Sequence, residues 1–129
     1  MASGDYFSNA ERLAIDTTIR KAEQLCRFEF SVFVGPVEGE PRPFATRLHN
    51  TLVAPTKSIL ILVDPGSRIL EIVTGAAVRR KVTDAEIAHV VTAMQSHFAE
   101  GNLADGVRQG ITQIAEHAHG PKTLHQTNA

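Results

Sequence analysis

Ser58-Ile59-Leu60-Ile61-Leu62-Val63-Asp64 is apolar at five successive positions, and the reading of that run decides the fold. A strand with one face in water alternates apolar and polar residues, whereas a strand covered on both faces does not. Asp64-Pro65-Gly66-Ser67 follows as a turn, since proline fixes φ and glycine supplies permissive backbone. Arg68-Ile69-Leu70-Glu71-Ile72-Val73-Thr74-Gly75 then returns as the antiparallel partner. A hairpin buried on both sides needs a helical layer on each.

Upstream, Phe28 to Val34 is rich in aromatic and β-branched residues and ends at Gly35-Pro36, which predicts a strand. Glu29 and Ser31 on its alternate face put it toward an edge or a helix rim. Pro36 to Pro43 reads as a loop, and Phe44, Leu48 and Leu52 predict a short helix over about 42–51 with Pro43 in its first turn. A strand, a helix and a strand imply a right-handed crossover, so the first two strands are expected to be parallel.

Three further helices frame this sheet. Ser8-Asn9-Ala10-Glu11 has the form of a capping box, and Ile15, Ile19, Ala22 and Cys26 recur behind it at helical spacing, giving a helix over 9–26. Thr83-Asp84-Ala85-Glu86 is a second capping box, opening a helix with Ile87, Val90, Val91, Met94 and Phe98 inward and an end near Glu100-Gly101. The last helix runs from about Leu103 to His117, with Gly106 and Gly110 one turn apart for close approach to a neighbour. The predicted fold is α/β: a three-layer αβα sandwich around a small mixed sheet, in the order α-β-α-β-β-α-α. Residues 1–7 are expected to be a flexible N-terminus, 8–118 a single domain, and 119–129 a disordered polar tail.

Composition narrows the function classes. A chain of 129 residues with 43% hydrophobic content suits one globular domain without a metal or disulfide staple. The formal charge of −1 gives no reason to expect nucleic acid as a partner. No apolar stretch approaches the ~20 residues of a membrane helix, and the N-terminus lacks the pattern of a signal peptide, so membrane insertion is not expected and cytoplasm is the default. Cys26 is the only cysteine and reads as a small buried hydrophobe.

No catalytic constellation stands out. The six histidines are read as surface groups: His117 and His119 are two apart at a helix end and point in different directions, His89 and His97 lie near the polar face of their helix, His49 is in another segment, and His125 is in the tail. They lack the convergence zinc needs, so no metal site or cofactor is expected. Phosphate loops and serine-nucleophile motifs are absent. Asp64 and Glu71 flank the hairpin as solvated carboxylates. One cluster motivates a binding site: Thr74, Gly75, Arg79, Arg80, Lys81 and Thr83, where three cations stand beside a helix start and could hold a small anion or a protein partner. The competing reading is a solvated basic turn paired with Asp84 and Glu86.

The same segments resemble a known family. Ile59 to Asp64, Arg68 to Gly75, Val82-Thr83-Asp84, and Phe98-Ala99-Glu100-Gly101-Asn102-Leu103-Ala104-Asp105-Gly106-Val107 are similar to a TPM domain, with Asn102 where that family usually has Asp. Phe30-Ser31-Val32-Phe33-Val34-Gly35, Arg47-Leu48-His49 and Glu71-Ile72-Val73-Thr74-Gly75-Ala76 resemble an actinobacterial branch, the domain-of-unknown-function 5130 family. The TPM resemblance implies an αβα fold and, in some members, divalent-cation binding and acid phosphatase activity. It therefore brings an alternative: a metal-dependent phosphatase-type hydrolase using Asp64 or Glu71. Metal-linked members carry an acidic loop before the central strand; here that stretch is Ala54-Pro55-Thr56-Lys57, without a carboxylate. The expected function is thus a non-catalytic binding or interaction module.

Overall fold

The structure, a computed structural model, describes residues 6–120; the leading residues 1–5, the tail from 121 and with it His125 lie outside the described residues. In chain order the elements are α1 (Asn9–Cys26), β1 (Glu29–Val34), α2 (Pro41–Asn50), a single 3₁₀ turn (Pro55–Lys57), β2 (Ser58–Asp64), β3 (Ile69–Thr74), α3 (Ala76–Arg79), α4 (Asp84–Ala99) and α5 (Leu103–His119). The sheet order is β1-β2-β3. β1 runs parallel to β2, with Phe30 opposite Ile59 and Val34 opposite Val63. β3 is antiparallel to β2, with Ile61 opposite Ile72.

Every residue of β2 is buried, as the unbroken apolar run requires. Its side chains alternate between two cores. Ile59, Ile61 and Val63 face a large core built with α1, α4 and α5, including Ile15, Val90, Met94, Val107, Ile111 and Ile114. Leu60 and Leu62 face a small one with Ala45, Val73 and the half-buried Phe33, Phe44, Leu48 and Leu52. α2, supplied by the crossover, is the helix that covers this second face. The three-layer αβα arrangement follows. Phe33 is thereby a core residue, tilted against Phe44 with ring centroids 6.0 Å apart.

Both predicted capping boxes form. Ser8 Oγ accepts from Glu11 N–H while Glu11 accepts from Ser8 N–H, and Thr83 and Glu86 repeat the exchange. The glycines of α5 act as the spacing suggests. A Cβ on Gly106 would press into Phe98, and one on Gly110 into Met94, so α4 and α5 approach more closely than side chains would allow.

Three features differ from expectation. Four residues between Gly75 and Thr83 form the short helix α3, too brief to leave a 3.6-residue pattern. Phe7 is buried in the large core and Tyr6 packs against it, so ordered packing begins before residue 8. α5 continues to His119, two residues past the predicted end.

The sheet edges are covered by charged side chains. Gly75 N–H donates to Ser58 O, so by the alternation of an antiparallel ladder the backbone groups of Thr74 and Ile72 turn away from β2. Arg42 Nη1 donates to Ile72 O at 2.8 Å, and Arg79 Nη1 donates to Thr74 O. On β1, Phe30 N–H donates to Glu23 Oε2 at 2.9 Å. Such caps remove ladder groups that another strand would otherwise pair with.

Candidate functional site

The loop singled out from sequence lies at the end of the sheet where β3 stops and β2 begins. Gly75 makes this corner possible. A Cβ there would collide with the carbonyl oxygens of Pro55 and Thr56, so only glycine lets the 3₁₀ turn pack against the end of β3. The contact brings exposed Lys57 to the same corner as exposed Arg79, Arg80 and Lys81. Lys57 was not among the residues expected at the site. The glycine ending a strand was its one signal, since such a residue marks a close backbone approach.

The six expected residues do not share one role. Thr74 and Gly75 are buried, and the Gly75 N–H belongs to the sheet. Arg79 is exposed but one guanidinium nitrogen is engaged by Thr74 O. Thr83 Oγ1 is occupied by Glu86 N–H at 3.1 Å, and Glu86 Oε1 holds Thr83 N–H at 2.9 Å. The second Glu86 oxygen lies 3.2 Å from His117 Nδ1 on α5. A carboxylate therefore already sits at the start of α4, where the helix dipole favours negative charge. Arg80 and Lys81 are exposed at the corner.

The two hairpin carboxylates are engaged too. Asp64 is only 5% exposed, contrary to the expectation of a solvated group. Its Oδ2 accepts from Val37 N–H at 3.1 Å and its Oδ1 from Ser67 N–H at 3.3 Å, so it ties the loop after β1 to the hairpin turn. The turn sequence Asp-Pro-Gly-Ser carries half of that signal, because aspartate commonly bonds backbone a few residues on; the Val37 bond is tertiary. Glu71 is half-buried and pairs with Arg42 at 3.2 Å.

His49 corrects the surface reading of the histidines. It is buried at 5% exposure, and its Nε2 lies 3.0 Å from Ser58 O, which makes that nitrogen the donor. Ser58 O thus accepts from both His49 and Gly75, and Ser58 Oγ donates to Ala54 O. His49 stands four residues after buried Ala45 and three before Leu52, a helical spacing that marks it as inward. His97 is half-buried with its Nδ1 enclosed, while His89 is exposed as expected. Burial raises the Cys26 thiol above its ordinary value, which keeps thiolate scarce at neutral pH. Among the described residues no group of three or more His, Cys, Asp or Glu is arranged to hold a metal ion. Nor is any described helix long and apolar enough to cross a membrane.

Comparison with known proteins places this geometry in a family. The model of a family described as a domain of unknown function, DUF5130, matches residues 2–115. The chain belongs to the DUF5130 family. Uncharacterised proteins from two strains of Mycobacterium tuberculosis, CDC 1551 / Oshkosh and H37Rv, are each 25% identical to this DUF5130 chain over 109 residues. That is 84% of the chain and 65% of each relative, so the chain spans just under two thirds of their length. Among solved structures, the BA42 protein of the psychrophilic bacterium Bizionia argentinensis superposes with a TM-score of 0.79 at 22% identity, covering 87% of this chain and 81% of that one. The N-terminal domain of a P. gingivalis protein gives 0.76 at 19% identity, over 92% and 79% of the two chains. At these identities the likeness to solved structures shows the fold alone.

Proposed function

We propose that this DUF5130 domain is a non-catalytic interaction module that docks an acidic protein segment on the basic corner of Lys57, Arg79, Arg80 and Lys81. The observation that carries this reading is the Gly75 contact, which adds a cation from a separate segment to the three of the loop. Clustered like charges on one corner steer an oppositely charged partner and favour its encounter. A free phosphate fits less well. The Glu86 N–H that it would use is bonded to Thr83 Oγ1, and the Glu86 carboxylate stands at the same helix end.

The likeness to TPM domains, carried by the hairpin and the Phe98–Val107 segment, suggests the phosphatase-type alternative. The residues it would need are otherwise employed: Asp64 faces two backbone amides, and Glu71 faces Arg42. The interaction reading is therefore preferred.

Fluorescence anisotropy with a labelled hexaglutamate peptide tests it. The chain should bind at low salt and lose affinity as salt shortens the range of surface charges. Arg80→Glu/Lys81→Glu should weaken binding at least about tenfold, roughly 1.4 kcal/mol, while inorganic phosphate leaves the melting temperature unchanged. Equal binding by the variant, or none by the parent chain at low salt, would sink the proposal.

A further inference from the structure

A pocket of about 540 Å³ opens at the end of the sheet opposite the basic corner, between the β2–β3 hairpin and the junction of α4 with α5. Its size falls in the range of small-molecule sites, roughly 300–1,000 Å³. Ile69 and Leu70 from β3, Phe98 from α4 and Leu103 from α5 form apolar walls, each of them half-buried. The pocket lies beyond the carboxyl end of β2, which runs parallel to β1. In α/β sheets that end of the parallel strands is the usual place for a ligand.

Two charged residues line the pocket, and they are of opposite sign: Asp64 and Arg68. Asp64 is buried, and no Lys, Arg or His pairs with it among the described residues. Its two oxygens each accept one backbone N–H, which leaves each a further lone pair. A buried carboxylate without a counter-charge is costly, so a cationic donor against it is favoured.

Arg68 stands four residues on. It is exposed, its side chain bonds to no described residue, and its backbone is left-handed with φ 57°. Glycine or asparagine ordinarily fills such a position. An arginine there carries backbone strain that no contact of its own side chain offsets, and outliers of this kind gather at ligand sites.

These charges select the class of ligand. Both stand beside the same apolar walls, so the occupant needs an ammonium and a carboxylate close together next to an apolar chain. An α-amino acid carries both on the carbon that bears its side chain. A peptide end carries only one of them there. Exposed Gln95 of α4 adds a neutral amide that can bond either group.

We propose that this pocket binds a free apolar α-amino acid, with its ammonium on Asp64, its carboxylate on Arg68 and its side chain against Leu70, Phe98 and Leu103. The site is separate from the basic corner and does not depend on the function given to that corner.

Titration of the isotope-labelled chain, followed by its amide chemical shifts, tests this. Leucine or phenylalanine should bind with a Kd of about 1 mM or tighter, within reach of ligands this small. The shifts should fall on Arg68 to Leu70 and Gly101 to Leu103, and not on Lys57 or Arg80. Leucinamide lacks the carboxylate and N-acetyl-leucine lacks the ammonium, as the two ends of a peptide do. Each should bind at least about tenfold more weakly than leucine. Arg68→Gly removes the guanidinium and suits the left-handed backbone, so leucine binding should fall at least about tenfold while the melting temperature does not drop. No response to either amino acid at about 10 mM, ten times that Kd, overturns the proposal. So do shifts confined to other parts of the molecule, an analogue that binds as well as leucine, or unchanged binding in Arg68→Gly.

Discussion

Asp64 accepts from two backbone donors, so an amide in its place would turn its own NH₂ toward one of them. Asp64→Asn is expected to destabilise the fold by about 1–3 kcal/mol, the cost of leaving a buried donor unmatched. Urea titration measures it, and a change below about 0.5 kcal/mol would mean that the carboxylate is not the clamp described. His49 and Asp64 also mark the limit of reading polar residues from a chain. Each is polar in composition and buried in space, and the partner that justifies the burial, Ser58 O or Val37 N–H, is distant in sequence. The basic loop was readable as a cluster. What could not be read was which groups within it were taken: Arg79 by Thr74 O, Thr83 Oγ1 by Glu86 N–H.

Between elements, the contact of α4 with α5 depends on a missing side chain. A Cβ at Gly110 would lie 2.9 Å from Met94 Cε and closer still to its sulfur. Gly110→Ala should therefore cost about 1–3 kcal/mol through overpacking, despite alanine's better helix propensity. Met94 is the obstacle, so adding Met94→Ala to Gly110→Ala should destabilise less than the two single changes summed. Strict additivity in thermal or urea unfolding would show that the strain falls elsewhere. The elements themselves were readable because apolar spacing and capping chemistry agreed: α1 and β2 match the expected spans, and both capping boxes form. α3 escaped because four residues complete barely one turn.

Across the whole molecule, a three-stranded sheet has two edges, and here β3 is capped by Arg42 and Arg79. Arg42→Ala/Arg79→Ala exposes the carbonyls of Ile72 and Thr74 to a neighbouring chain. The variant should aggregate faster under agitation, followed by light scattering, while losing only about 1 kcal/mol of stability per bond. An unchanged aggregation rate would show that those guanidinium groups do not guard the edge. The αβα layering followed from one uninterrupted apolar strand, whereas the edge caps did not. Arg42 reaches β3 from α2, across a separation that no local pattern records.

The two cores flanking the sheet are unequal. α2 covers its face over a handful of residues, Ala45, Leu60, Leu62 and Val73 with half-buried neighbours, while three helices share the other. Fewer packed groups mean a smaller free energy of local opening, so this layer should behave as a separate cooperative unit. In native-state hydrogen exchange, amides of α2 should exchange through a partial opening well below the global unfolding free energy, with those of α5 near Ile111 among the last to go. Exchange of both helices at one common rate limit would show that the molecule melts only as a whole.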